Sequence, residues 1–234
     1  MTAGGTIAGR LAEVRARIDA AARAAGRDPA AVRLVAVSKT KSAEAVREAY
    51  AAGQRAFGEN YAQELAAKAE ALADLPGIEW HFIGHLQTNK AKVAATYAAW
   101  VHTVDSAALA RELGKRVTRA GRGEPMPVLV EVNVGGEAQK AGAAPSEIEE
   151  VMREVQAHAS LALRGLMTVP PAEDLAQARS VFATLVSLRN LHGGASVLPE
   201  LSMGMTADLD VAIACGATIV RVGTAIFGER IRRG

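Results

Sequence analysis

The sequence predicts a single (β/α)8 (TIM) barrel preceded by an extra N-terminal helix. Three observations carry that prediction. Short runs rich in Val, Leu and Ile recur eight times along the chain. Ala-rich stretches with charged faces separate them, and a short helical segment follows the last. The chain has 234 residues, close to the ~250 of a typical barrel of this class. Strands that read as unbroken apolar runs belong to parallel sheets covered on both faces. Strict strand–helix alternation marks an α/β fold, and a count of eight favours a closed barrel over an open doubly wound sheet.

The elements follow in order. Residues 1–5 read as loose and disordered. Ile7, Leu11, Val14 and Ile18 recur at spacings of four, three and four, which is one apolar stripe on a helix. Gly26-Arg-Asp-Pro29 ends that helix. Strands are expected at 33–38, 55–59, 79–85, 100–104, 127–133, 162–167, 197–201 and 218–222. Helices are expected near 42–52, 61–73, 88–98, 106–120, 146–158, 172–191 and 206–214. Gly121-Arg-Gly-Glu-Pro125 is the loosest internal stretch and reads as a loop. No long linker or low-complexity block interrupts the pattern, so residues 1–234 read as one domain.

Composition removes several function classes. The 27 basic and 25 acidic residues are interspersed, apart from a basic tail at Arg230, Arg232 and Arg233. That balance offers no footprint for nucleic acid, and the tail fits a solvated terminus. Cys215 is the only cysteine, so no intrachain disulfide forms, which fits a reducing compartment. No signal-peptide core or membrane-length apolar run occurs, and the expectation is a soluble, cytoplasmic protein.

In a parallel barrel the chemistry sits at the C-terminal ends of the strands. Read in order, those ends carry Lys39, Glu59-Asn60, His85, Asp105, Asn133, Met167-Thr168, Ser202 and Gly223-Thr224. Lys39 closes the charge-free run Leu34-Val-Ala-Val37. A solvated surface lysine is the plain reading of such a residue, and Lys41 in the following loop serves as its control. A partly desolvated lysine, by contrast, has a lowered pKa and is a usable amine nucleophile. Arg221 lies between Val220 and Val222 and points away from both. It is either a structural ion-pair member or a donor to a ligand.

Ser202-Met-Gly-Met-Thr206 precedes a helix, and Gly223-Thr224 precedes another. Each can be ordinary N-capping. Loops after the seventh and eighth strands are also the usual phosphate site of this barrel class. His81 and His85 are spaced i, i+4 within one expected strand, so they share a face, and no zinc spacing or other metal motif occurs. His81 and His102 read as structural histidines, and Cys215 as a packing residue. A rim lysine together with a phosphate loop suits an aldehyde that carries a phosphate, and pyridoxal 5'-phosphate fits that description.

These residues resemble the YggS/PROSC family of pyridoxal phosphate homeostasis proteins. The matching pieces are Val35-Ala-Val-Ser-Lys39, Phe57-Gly-Glu-Asn-Tyr-Ala-Gln-Glu64 and Trp80-His-Phe-Ile-Gly-His-Leu-Gln-Thr-Asn-Lys90. Gly165-Leu-Met-Thr168, Leu201-Ser-Met-Gly-Met205 and Val220-Arg-Val-Gly-Thr-Ala-Ile-Phe-Gly228 complete the set. The resemblance implies a barrel like the alanine racemase N-terminal domain, with the cofactor held as an aldimine on Lys39. It implies Arg221 at the pyridine nitrogen, Asn60 near the ring, and Ser202, Gly204, Gly223 and Thr224 in the phosphate-binding segments. It implies no metal and no catalytic residue. It further implies a role in cofactor supply, with PLP-dependent apoenzymes as receiving partners.

This sequence departs from the family pattern at three places. Thr168-Val-Pro-Pro171 replaces Thr-Ile-Ala-Pro, Gln139-Lys140 replaces Ser-Lys, and Thr206 stands where serine is common.

Three functions remain open at this point. One is a reversible carrier or regulator of the cofactor. Another is an amino-acid racemase using the same Lys39. The third is a lyase whose Lys39 forms an imine with a sugar phosphate. Arg221 would leave the pyridine nitrogen unprotonated and weaken the electron sink. A racemase also needs a second base, which alanine racemase draws from an additional β domain. The chain has no room for that domain after residue 228, so the carrier and a monomeric state are the expectations.

Overall fold

The computed structural model describes residues 5–136, 141–170 and 174–229. The expectations attached to residues 1–4, Gln139, Lys140, Pro171, Arg230, Arg232 and Arg233 lie outside the described residues.

Eight parallel strands close into a barrel in sequence order. They are β1 (Arg33–Val37), β2 (Ala56–Glu59), β3 (Glu79–Phe82), β4 (Trp100–Val104), β5 (Met126–Glu131), β6 (Leu161–Met167), β7 (Glu200–Ser202) and β8 (Ile219–Val222). Closure is the pairing of β8 with β1, in the register Arg33↔Ile219 to Ala36↔Val222. Alternation along each strand sorts its side chains. Val35, Ala56, Leu129, Met167 and Ile219 pack together inside the barrel. Ala36, Phe57, Val101, Val130, Leu201 and Val220 face outward into the shell under the helices.

The helices are α1 (Ile7–Ala24), α2 (Ala43–Ala51), α3 (Ala62–Ala71), α4 (Ala91–Tyr97), α5 (Ala107–Ala120), α6 (Ile148–Gln156), α7 (Leu175–Leu191), α8 (Gly194–Val197), α9 (Leu209–Ala214) and α10 (Thr224–Phe227). Several begin at side-chain caps: Thr6, Ser42, Ser106 and Asp174 each accept a backbone N–H of the following turn. α1 buries Ile7, Leu11, Val14, Ile18 and Ala22. Each large aliphatic among them contributes roughly 1.5–3 kcal/mol of burial. Among the described residues β8 is followed by the four-residue α10, and α1 joins the outer ring by packing on α2, α9 and α10. Arg17 ties α1 down through Asp210 at 2.7 Å and the Thr206 carbonyl at 2.8 Å.

Two strands differ from expectation by three residues at one end. β3 stops at Phe82 instead of residue 85. Ile83 N–H still donates to the Glu59 carbonyl at 2.9 Å. Gly84 then lies so close to Asn60 that a Cβ there would sit 2.2 Å from the Asn60 carbonyl oxygen. The chain must leave the sheet at that crossing. β7 is Glu200–Ser202 instead of 197–201. Residues 194–197 form α8, and Pro199 has no N–H for the ladder. No helix among the described residues is long and apolar enough to cross a membrane.

Candidate cofactor site

β1 aims Lys39. Val35 lies inside the barrel and Ala36 outside. Alternation turns Val37 inward, Ser38 N–H still donates to the Gly58 carbonyl at 3.0 Å, and Lys39 opens the turn that follows. Lys39 is half-buried at the rim. Thr40, next in the chain, is the one described non-glycine residue with positive φ, at 63°. A left-handed backbone costs an L-residue about 1–2 kcal/mol. Replacing Thr40 by Gly is therefore expected to stabilise the protein by about 1 kcal/mol, part of the relief being offset by unfolded-state entropy. Urea unfolding measures it, and a loss of stability would contradict this account of the turn.

Lys41, the sequence's control lysine, has a structural task. Its Nζ donates to the carbonyls of Phe227, Gly228 and Glu229 at 3.2, 2.8 and 2.8 Å. It therefore joins the loop after β1 to the end of α10, where a cation suits the helix dipole.

Arg221 points into the barrel and is 4 % exposed. Its partners are not carboxylates. Nη1 donates to Ser202 Oγ at 2.7 Å, and Nη2 donates to the Thr168 carbonyl at 3.0 Å. Burial lowers its pKa to about 10, against the opposing pull of Glu131 and Asp208. The guanidinium thus stays charged at neutral pH. Because Val35 is the register partner of Arg221, Arg221 springs from deeper in the barrel than Lys39.

The Ser202 hydroxyl is engaged within the barrel. Ser202 Oγ also meets His102 Nδ1 at 2.9 Å, and His102 Nε2 meets His81 Nδ1 at 2.9 Å. His81 Nε2 lies 3.6 Å from Glu79 Oε2 at the opposite rim. Burial holds both histidines below the usual imidazole range, His102 well below it. One tautomer set gives every hydrogen in this chain a direction: Ser202 donates to His102, His102 to His81, and His81 Nε2–H faces Glu79. The two buried histidines reach Arg221 through Ser202, while His81 Nε2 has no hydrogen-bond partner among the described residues.

His85 is corrected. It lies past the end of β3 and its side chain is 57 % exposed, 3.2 Å from Asp105 Oδ2. It does not share a face with His81, because the crossing at Gly84 turns the chain out of the sheet. No group of three metal-ligating side chains occurs among the described residues.

The two candidate phosphate loops meet. Gly204 has φ 96°, and a Cβ there would fall 2.5 Å from the Ala212 Cβ. Only glycine fits that backbone so near α9. Met205 N–H donates to Asp208 Oδ1 at 2.5 Å. Gly223 follows β8 and accepts from Ile226 and Phe227 N–H, both at 2.9 Å. Thr206 Oγ1 and Thr224 Oγ1 lie 3.2 Å apart, bridging the loops on the exposed rim. Thr206 closes the first of the two loops read from the sequence, and the barrel sets it beside Thr224.

Two orphaned atoms mark the rest of the rim. Asn60 Oδ1 and Glu131 Oε2 are buried without a hydrogen-bond partner. A cavity of ≈ 220 Å³ opens beside each, one lined by Asn60, Phe82 and Lys90 and the other by Glu131, Asn133 and Val169. Glu131 ends β5 and was missed by the sequence reading, although its place two residues past the inward-facing Leu129 was a usable signal. Burial, then the nearby Asp105 charge, pushes its carboxyl up to about 7, with Arg221 pulling it down. A further cavity of ≈ 330 Å³ opens at the N-terminal rim. There Arg33 already faces Glu79 at 3.6 Å, and Arg15 is bonded to the Ala52 carbonyl and Gln54 Oε1, both at 3.2 Å.

The C-terminal rim therefore combines a half-buried lysine, a buried arginine, a joined pair of polar loops and two unsatisfied oxygens. That donor set fits an aldehyde-bearing aromatic phosphate. Lys39 and Gly223-Thr224 follow the paired strands β1 and β8, Gly204 follows β7, Asn60 follows β2, and the Ser202 side chain braces Arg221.

Comparison with known proteins agrees with this architecture. Residues 10–231 match the family model for the alanine racemase N-terminal domain. The pyridoxal phosphate homeostasis protein of Pseudomonas aeruginosa is 50 % identical over 227 residues, covering 96 % of both chains. That of Escherichia coli K12 is 42 % identical over 228 residues, covering 96 % of this chain and 97 % of its own. The structure of PipY from Synechococcus elongatus with PLP bound is 38 % identical, with a TM-score of 0.80, over 95 % of this chain and 100 % of that one. Alanine racemase from Corynebacterium glutamicum shares the fold at 19 % identity and a TM-score of 0.67, over 96 % of this chain and 63 % of the racemase. By fold, by rim chemistry and by these matches, the chain belongs to the alanine racemase N-terminal domain family, among the pyridoxal phosphate homeostasis proteins.

Proposed function

We propose that this protein binds pyridoxal 5'-phosphate through Lys39 and holds it reversibly in the service of cofactor homeostasis, without catalysing a reaction of its own. One observation carries the reading. Lys39 and Arg221 enter one barrel mouth from adjacent strands at different depths, beneath loops joined at Thr206 and Thr224. The relatives' names and the PLP-bound PipY structure support the choice of ligand.

When bound, the cofactor supplies an electrophilic aldehyde and an electron-accepting ring. Lys39 would hold the cofactor by condensing its Nζ with the aldehyde carbon, the carbonyl oxygen leaving as water. The bond is reversible by hydrolysis, which suits a carrier. The first turn after Gly223 would offer N–H groups to the phosphate, and the loop at Gly204 would lie beside it. Arg221 is a fixed donor with no proton to give near neutral pH, so the ring beside it is a weak electron sink. Weak carbanion stabilisation favours holding over chemistry.

The test is reductive trapping. With the cofactor added, the protein should develop a visible imine band, and borohydride should fix the label on Lys39 by peptide mapping. Lys39→Ala should lose the band and bind at least about tenfold more weakly, the covalent bond being gone. A label on another lysine, or none, defeats the reading. The racemase alternative predicts efficient solvent-deuterium exchange at the α-carbon of alanine, and the carrier predicts none. The sugar-phosphate lyase alternative predicts no such band with pyridoxal phosphate.

A further inference from the structure

Directly behind Lys39, on the outer side of the barrel, lies a buried charge cluster that the cofactor reading does not use. Lys68 of α3 is 7 % exposed and Glu59 of β2 is 0 % exposed. Lys68 Nζ donates to three oxygens: the Ser38 carbonyl at 2.7 Å, Glu59 Oε1 at 2.7 Å and Glu64 Oε2 at 3.0 Å. Three acceptors satisfy the three hydrogens of an ammonium. Ser38 Oγ donates to the same Glu59 oxygen at 2.6 Å. Thr40 N–H donates to Glu64 Oε2 at 2.7 Å.

The cluster thus grips the residue before Lys39 and the residue after it. Ser38 is held through its carbonyl and its hydroxyl, and Thr40 through its amide. Thr40 is also the residue with the left-handed backbone. A left-handed threonine persists only where its surroundings over-determine it, and the Glu64 carboxylate supplies that constraint. Ion pairs this deeply buried add little net stability, because desolvation offsets their attraction. Their yield is a fixed geometry. Here the geometry is the direction in which β1 delivers its last inward side chain.

We propose that Lys68, acting with Glu59 and Glu64, is a positioning residue that fixes the backbone on both sides of Lys39 and so aims its amine into the barrel mouth for imine formation. The inference rests on the cofactor reading above and deepens it. Lys68 does not touch the ligand. It acts through Ser38 and Thr40.

The test separates binding from bond formation. Pyridoxine 5'-phosphate carries the ring and phosphate but no aldehyde, so it reports the pocket without the imine. Three variants are compared with the wild type: Lys68→Met, Glu64→Ala and the conservative Glu64→Gln. Glu64 is half-exposed, so Glu64→Ala keeps the test available if Lys68→Met does not fold. Both disruptive variants should bind pyridoxine 5'-phosphate within about twofold of the wild type. Their imine equilibrium and rate with pyridoxal 5'-phosphate should fall by about tenfold or more, since a small misplacement of a reacting group has effects of that order. Glu64→Gln can still accept from Thr40 N–H and should stay within about threefold of the wild type. Imine formation at wild-type rate and extent in Glu64→Ala would overturn the proposal. So would an equal loss of both ligands, which would mean a merely structural role. A wild-type protein that binds pyridoxal 5'-phosphate without labelling Lys39 would refute the cofactor reading itself, before any variant is compared.

Discussion

Glu131→Gln should make the ligand-free protein about 3 kcal/mol more stable at pH 8 and leave it nearly unchanged near pH 4. The carboxyl is 7 % exposed at the end of β5, and its Oε2 has no partner. Burial is the main cause of its raised pKa and the Asp105 charge the next, while Arg221 opposes both. A rise from the ordinary 4.5 to about 7 corresponds to about 3 kcal/mol by proton linkage. The sign follows from which state holds the proton more tightly. Here the folded protein does, so the contribution to stability is complete below about pH 4.5 and is lost as pH rises through about 7. Glutamine mimics the protonated form at every pH and removes that loss. Urea unfolding of both proteins at steps between pH 5 and 8 measures the difference. Parallel stability curves would show that Glu131 titrates normally. At neutral pH this buried carboxyl accordingly holds its proton far more tightly than an ordinary glutamate does.

Arg221→Leu should cost about 3–5 kcal/mol, the usual scale for removing one partner from a buried charged network. Three things happen together. Ser202 Oγ and the Thr168 carbonyl each lose a charged donor. Glu131 loses the positive charge that restrains its pKa. His102, held neutral by burial, then by His81 and then by Arg221, becomes easier to protonate. Arg221→Lys should rescue only part of the loss, because one ammonium cannot reproduce the forked donation to acceptors on β7 and just past β6. Chemical denaturation gives the stability, and the histidine ring signals in NMR give the protonation of His102. A cost below about 1 kcal/mol for Arg221→Leu would mean that the guanidinium has other support.

The barrel was legible because its strands are written twice, once as apolar runs and once as punctuation between Ala-rich helices. All eight strands occur near their expected positions. The errors fall where one segment's path depends on another. β3 ends early because Gly84 meets the Asn60 backbone, and nothing local in Trp80-His-Phe-Ile-Gly-His85 encodes that crossing. β7 begins late because Val197 joins a helical turn ahead of Pro199, where an apolar Val-Leu pair reads equally well as strand. The site was legible in part. Lys39, Asn60, Gly204, Arg221, Gly223 and Thr224 could be named from strand ends and motif pieces. Ser202 could be named too, but its hydroxyl direction could not. Glu131 and Lys68 were passed over, since each gains its character from a neighbour remote in sequence.

The order of apolar runs, the strand-end lysine and the glycine-bearing loops were determined by the chain itself, because burial periodicity and backbone permissiveness act over a few residues. Tertiary structure alone decided which charges were stripped of water and which met a partner. Lys68 meets the Ser38 carbonyl only when α3 closes over it, and Glu131 holds its proton more tightly only when the sheet shuts around it. Desolvation and charge pairing are set by distances through space, and those distances exist only after the eighth strand has joined the first.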